Sequence, residues 1–416
     1  MAEVKLPKRS EIPDRYKWNA ESVFTDQQAW EAEFDRIVQS LSTLDKYRGH
    51  LGEGPAVLAA GFEAVEDIFC RTFKAAIYAH MSHEVDTQDM AATGMVGKVQ
   101  GLIGQVMAAS SFLDPELIAI GREKLRSWSK EEAPLEKYAH YFDNLFRKQA
   151  HIRSPEVEEV VGLLADPFSS VGTTMGMLVN ADFKHKPALT KDGQELPVSE
   201  GTIDLLLASE DREARRTAWE NYSDTFLAYK NTLASNLATS IKQNVFKMRV
   251  RRHSSTLEAS LFENNVPEEV FYNLIETYKK NLPTWHRYWR IRRKALGVEQ
   301  LHPYDIWAPL TRENPELTFE ESVDWISKGL QPMGEDYVSV LRKGCLEQRW
   351  VDVLPNQGKS GGAFSGGSQG TYPFILMSYD NTIFSLSTLA HELGHSMHSY
   401  LIWQNQPFVY SDYSLF

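Results

Sequence analysis

The sequence predicts a mainly α fold built from several lobes, with a small β-sheet beside one functional helix. Three observations predict it. A chain of 416 residues is too long for one compact core, so two or three lobes are expected. Apolar residues recur at three-to-four spacing through most of its length. Near its end, a glycine-rich run and a short aromatic, β-branched run lead into His391-Glu392-Leu393-Gly394-His395, a pattern that belongs on a helix.

Taken in order, residues 1–20 read as an extended arm carrying Pro7, Pro13 and Trp18. Trp30, Phe34, Ile37, Val38 and Leu41 set a helix over 27–48. Further helices are expected over 54–84, 90–112, 114–132 and 135–149. Asp166-Pro167 and the Gly/Ser/Thr-rich stretch 169–176 mark a break and a lobe boundary. Lys191-Asp192-Gly193, between short extended runs, predicts a hairpin within 180–198. One or two long helices follow over 210–248, with Asp211, Arg212, Glu213, Arg215 and Arg216 pairing on a solvated face. Pro267-Glu268-Glu269 starts a helix that runs to about Asn281, and others are expected over 283–296 and 318–346. The lobes are drawn as 1–112, 113–200 and 201–416, the last holding the functional helix.

Composition narrows the function classes. Hydrophobic content of 42% and charged content of 24% are ordinary for a soluble globular protein. A net charge of −12 argues against a nucleic-acid partner. Basic groups at 249–252 and 290–294 therefore read as solvated faces or internal ion pairs. No run of about 18 apolar residues suggests a membrane span, and the charged start MAEVKLPKRSEIP has no signal-peptide core. Cys70 and Cys345 form no disulfide framework. The expectation is a soluble cytoplasmic protein.

The motif carries the chemistry. At 3.6 residues per turn, His391 and His395 share one helix face and can both reach one Zn²⁺ at about 2.1 Å. Glu392 lies about 100° further round, placed for a general base that takes a proton from a zinc-activated water. His398 is too far along the helix to share that ion with His391. Asp412, the only acidic residue after Glu392, reads as a turn residue in Ser411-Asp412-Tyr413.

The preceding segment reads as a substrate track. Gly358-Lys359-Ser360 echoes the end of a phosphate-binding loop, but its glycines follow instead of preceding, so 358–370 reads as a flexible loop over a cleft. Residues 371–379 read as a strand, and Pro373 points to an edge strand to which a peptide could add itself. Candidate substrate contacts are Gly362, Ala363, Phe364, Gly370, Tyr372 and Phe374.

The runs GKSGGAFSGG, TYPFILMSY, LSTLAHELGHSMHSY and QPFVYSDYSLF, with KLPKRSEIPDRYKWNAESVF, DREARRTAWENY, NNVPEEV and LHPYDIW earlier, resemble the oligoendopeptidase F family of zinc peptidases, relatives of thimet oligopeptidase. The resemblance spans nearly the whole chain. It implies a helical, zincin-like metallopeptidase with a deep substrate channel, cleaving short unstructured oligopeptides. His391 and His395 match its zinc ligands and Glu392 its base. The family's third ligand is a glutamate on a following helix, and no glutamate follows Glu392 here. The resemblance thus implies a site completed beyond Phe416 or by a second chain; otherwise the chain is a peptide-binding, catalytically silent fragment.

Overall fold

The computed structural model describes residues 6–414 except 155–156, 158–159, 162–163 and 312–314. It is mainly helical, with two small sheets. Two compact units form: residues up to 149 pack with 315–414, and residues 150–311 make the other. This grouping differs from the three contiguous lobes drawn on the sequence.

The long helix Pro55–Glu84 organises the first core. Pro55 occupies its first turn, where a missing N–H costs nothing. Leu58, Phe62, Val65, Ile68, Thr72, Ala76 and Ala79 form its buried stripe. Phe62 stacks on Tyr138 at 4.3 Å, and helices Gln27–Ser40, Met90–Ser110 and Ala139–Lys148 close round it with Ile37, Leu102 and Phe142. The expected 114–132 helix is two, Leu113–Ile120 and Arg122–Glu131, parted at Gly121, whose φ of 90° a side chain would resist.

The second core of this unit lies under a three-stranded sheet. Strands β3 (Val351–Asp352), β4 (Phe364–Gly366) and β5 (Phe374–Leu376) lie in the order β3-β5-β4. β5 runs parallel to β3 and antiparallel to β4, with Ser365 opposite Ile375. Trp350, Val351, Ile375, Leu389, Leu393 and Met397 bury together beneath it. β5 is therefore the central strand, not the expected edge. Pro373 stands just before the paired residues, so its missing N–H removes no ladder bond.

The N-terminal arm is not loose. It folds as three short 3₁₀ turns and covers the outer side of β3, with Val353 N–H donating to the Tyr16 carbonyl at 2.9 Å. Arg9 Nη1 donates to Asp352 at 2.8 Å, and Lys359 Nζ lies 2.7 Å from the same carboxylate. Asp352 and Lys359 are buried, with 0% and 2% of their side chains exposed. Burial pushes the Lys359 ammonium down from its ordinary value, and the Asp352 charge opposes that.

In the other unit, β1 (Ala188–Leu189) and β2 (Glu195–Leu196) form the expected hairpin, turned at Gly193 with φ 78°. Three expectations are corrected here. Residues 165–177 form a helix, because Pro167 falls in its first turn, where a proline is tolerated. The break expected at Pro283 is also absent: Glu268–Ala295 is one helix through that proline. Its far end is held by Arg292, which is buried and donates to the Asp305 and Ala308 carbonyls. Finally, Arg212 and Arg215 leave the solvated pattern and converge on the buried Asp305, while Arg216 keeps its surface partners Glu213 and Glu220.

Removing one partner of a buried ion pair leaves an uncompensated charge, a loss of about 3–5 kcal/mol. Asp352→Ala is expected to destabilise the chain on that scale, read as the shift of its urea unfolding midpoint. A shift typical of a surface substitution contradicts the role given to this pair.

Candidate metal centre

The motif helix, Ile383–Asn405, starts where β5 hands over the chain. Asn381 takes a left-handed φ of 62°, which asparagine tolerates better than most residues. Thr382 caps the helix by accepting the Ser385 N–H at 3.1 Å. Asp380 in turn accepts from Thr382 Oγ1 and Ser385 Oγ, each at 2.6 Å.

The helix is pinned to the sheet at one point. Ser396 is fully buried, donates to the Pro373 carbonyl at 3.2 Å and meets Ser365 Oγ of β4 at 2.8 Å. Leu389, Leu393 and Met397 bury on the same side. That orientation decides where the motif points. His391 is exposed, His395 half-buried, and Glu392 turns inward with 7% exposure.

The two imidazoles converge, with His391 Nε2 and His395 Nε2 at 3.2 Å and rings inclined by 81°. Two nitrogens bound at about 2.1 Å to a tetrahedral ion stand roughly 3.4 Å apart, so the pair fits zinc. Tyr413 completes the setting. Its hydroxyl lies 2.9 Å from His395 Nδ1 and its ring stacks on His398 at 4.5 Å. A tyrosine oxygen accepting Nδ1–H leaves the Nε2 lone pair free for a metal. Burial, then the Asp412 and Glu392 charges, raises the Tyr413 hydroxyl above its ordinary value, keeping it protonated. Asp412 is exposed and accepts its neighbour's Tyr413 N–H at 2.8 Å. Among the described residues, no third histidine, cysteine or carboxylate joins the pair.

The candidate substrate contacts separate. Gly362 and Gly370 are exposed at φ 82° and 85°. Phe364 is exposed on β4, the edge strand. Ala363 and Tyr372 are half-buried against the core, Tyr372 beside Trp350. Phe374 departs from the expectation of a substrate contact: it is buried among Trp18, Val23 and Met81, where it holds the sheet. Strand alternation alone could not reveal this, because all three β5 residues are buried. The loop's root is also fixed. Lys359 is sealed under the Leu354 and Met377 carbonyls, and Thr87 N–H holds the Gly358 carbonyl at 2.8 Å. Tyr413 and Ser396 are the site residues that sequence reasoning missed; the fold brings Tyr413 to the motif, and gives Ser396, next to His395 in the chain, its partners Ser365 and Pro373.

The model of peptidase family M3 matches residues 205–416, and that of oligopeptidase F matches 116–185. The chain belongs to peptidase family M3. It is 36% identical to oligopeptidase PepF of Bacillus subtilis, over 99% of this chain and 61% of that protein. It is 33% identical to group B oligopeptidase PepB of Streptococcus agalactiae, over 98% and 68%. A crystal structure of oligoendopeptidase-F from Enterococcus faecium superposes with TM-score 0.62 and 30% identity, covering 76% of this chain and 60% of that one. The chain thus spans about three-fifths to two-thirds of the length of these relatives, and its helical architecture is theirs. No helix of the described residues is long and apolar enough to cross a membrane.

Loss of a group that orients a metal-bound histidine typically weakens metal affinity by roughly 10–100-fold. Tyr413→Phe is expected to weaken zinc binding on that scale while leaving the fold intact, as competition with a coloured chelator would show. Unchanged affinity removes Tyr413 from the site.

Proposed function

We propose that this chain supplies the metal-binding and proton-transfer core of a zinc-dependent endopeptidase acting on short, unstructured oligopeptides. The observation that carries the proposal is the convergence of His391 Nε2 and His395 Nε2 at 3.2 Å beside an inward-turned Glu392. The membership of family M3 and the likeness to oligopeptidases support it.

In this reading His391 and His395 hold Zn²⁺. When bound, zinc polarises the scissile carbonyl and lowers the pKa of water to about 7. Glu392 takes the proton of the attacking water and passes it to the leaving amine. Its burial shields the carboxylate from bulk water, and the Ser396 anchor fixes the helix that carries it. β4, the sheet's edge strand, presents Phe364–Gly366 for the substrate backbone, with the Phe364 ring exposed beside it. A third metal donor would come from outside the described residues, such as a C-terminal continuation or a second chain. We place the protein in the cytoplasm, in keeping with two free cysteines, one of them buried.

Absence of a third donor among the described residues favours a second reading, a catalytically silent peptide binder. Zinc content and turnover of a peptide blocked at both ends separate the two. In material that cleaves such a peptide, Glu392→Gln should retain zinc and lose roughly 10²–10⁴-fold in kcat. Undiminished turnover sinks the assignment of Glu392. Peptide binding without zinc or cleavage establishes the silent reading.

A further inference from the structure

We propose that His151, His253 and Glu258 form a second divalent-metal site, of the kind that takes Zn²⁺, within the 150–311 unit. One ligand atom from each lies within 4.8 Å of the others, a clustering of three such donors found nowhere else among the described residues. None of the three belongs to the His391–His395 site.

Each donor is set by its own piece of local structure. His253 follows helix Lys230–Val250, which closes in a Schellman turn. Arg252 N–H donates to the Arg249 carbonyl at 3.1 Å, and His253 N–H to the Met248 carbonyl at 3.0 Å. The left-handed position, normally glycine, is taken by Arg252 at φ 61°. Glu258 lies in the first turn of helix Thr256–Phe262, its N–H held by Ser255 at 2.9 Å. Its Oε2 accepts the Ser254 N–H at 2.7 Å and the Ser254 hydroxyl at 2.5 Å. Those bonds, the hydroxyl first, hold the carboxyl below the usual carboxylate range, so it is anionic. Oε1 faces His253 Nδ1 at 3.6 Å, too long for a hydrogen bond.

His151 has the tautomer a metal ligand needs. Its Nδ1 lies 2.8 Å from the Arg251 carbonyl, which can only accept, so Nδ1 carries the proton and Nε2 the lone pair. The independent sign of a ligand is His253. Its side chain is 7% exposed, and its Nδ1 is buried with no hydrogen-bond partner. Buried polar atoms are satisfied in the great majority of cases, and an orphan calls for an explanation. A cation between His253 Nδ1 and Glu258 Oε1 satisfies both atoms at once. Phe262 packs edge-on against both imidazoles, at 4.4 and 5.1 Å, an apolar wall of the sort that surrounds metal sites.

Two imidazoles and one carboxylate form a borderline N/O set suited to zinc, leaving one position for water. Ligands on one zinc ion stand about 3.4 Å apart, so binding draws the cluster in by roughly 1 Å. It also splays the imidazoles, which stack at 3.8 Å and 6°. The ion would clip His151 to a segment 102 positions later, a long loop closure by which metal binding stabilises the fold.

The test uses the whole chain carrying His391→Ala and His395→Ala, which removes the first site. Dialysed against Zn²⁺, this chain should retain one ion and melt at a higher temperature; with Co²⁺ it should show a visible absorption band. Adding Glu258→Gln, or separately His253→Ala, should weaken binding at least tenfold and abolish the rise in Tm. Glu258→Gln keeps shape and volume, so it remains informative if His253→Ala fails to fold. A parent chain that takes up no ion overturns the site, as does uptake that Glu258→Gln leaves unchanged.

Discussion

The arrangement of the first unit depends on one buried charge. Asp352 sits in β3 with no exposed side-chain surface, and three groups, two of them from the N-terminal arm, answer it. Arg9 reaches it from the arm, Lys359 from the root of the glycine-rich loop, and the Trp18 N–H lies 3.3 Å away. Such a cluster adds little net stability, because desolvation of each charge offsets most of its attraction. Its effect is positional: any rearrangement that separates the groups strands a charge in the interior. Lys359 extends the constraint to β5 by donating to the Leu354 and Met377 carbonyls. The sheet that seats the motif helix is thus fixed by electrostatics at one end and by Ser396 at the other.

What the sequence made legible follows from locality. The His-Glu-x-x-His spacing, the helix expected over 54–84 and the turn at Gly193 each rest on local pattern, and each appears as read. Proline was misread where its position mattered more than its identity. Pro167 is harmless in a first turn and Pro373 harmless before a ladder begins. Pro283 does forfeit a helical bond, but one local loss does not separate two long arms that are helical in their own right. Phe374 and Tyr372 were grouped as substrate contacts because they are near in sequence. Trp18 and the arm, more than 350 positions away, decide that Phe374 is core. Arg9 and Tyr413 carried no local signal at all.

Membership of family M3 and the motif's geometry answer different questions. The family fixes the architecture and the kind of chemistry to consider. The geometry says why these residues suit it: a helix whose apolar side faces the sheet must present positions 391 and 395 together on the other, and must turn 392 inward. The serine pair Ser365–Ser396 makes this orientation specific, since a polar contact in an apolar interface is satisfied in one rotation of the helix only.

The same sheet explains why a peptide would meet this helix from one side. A three-stranded sheet has two outer edges. The arm has taken that of β3, through Tyr16 and the contacts around Asp352. β5 is paired on both sides, and β4 alone keeps its outer row of backbone groups within the sheet unpaired. β4 is also the strand bonded directly to the motif helix, through Ser365. A backbone added there lies one strand from the anchor that orients Glu392. Gly367 shows how closely the two are fitted: a Cβ at that position would stand 2.5 Å from the Trp403 ring and 2.7 Å from the Tyr372 carbonyl. Gly367 therefore does more than loosen a loop. It lets the chain after the edge strand approach the metal-binding helix closely, beside the buried serine that joins strand and helix.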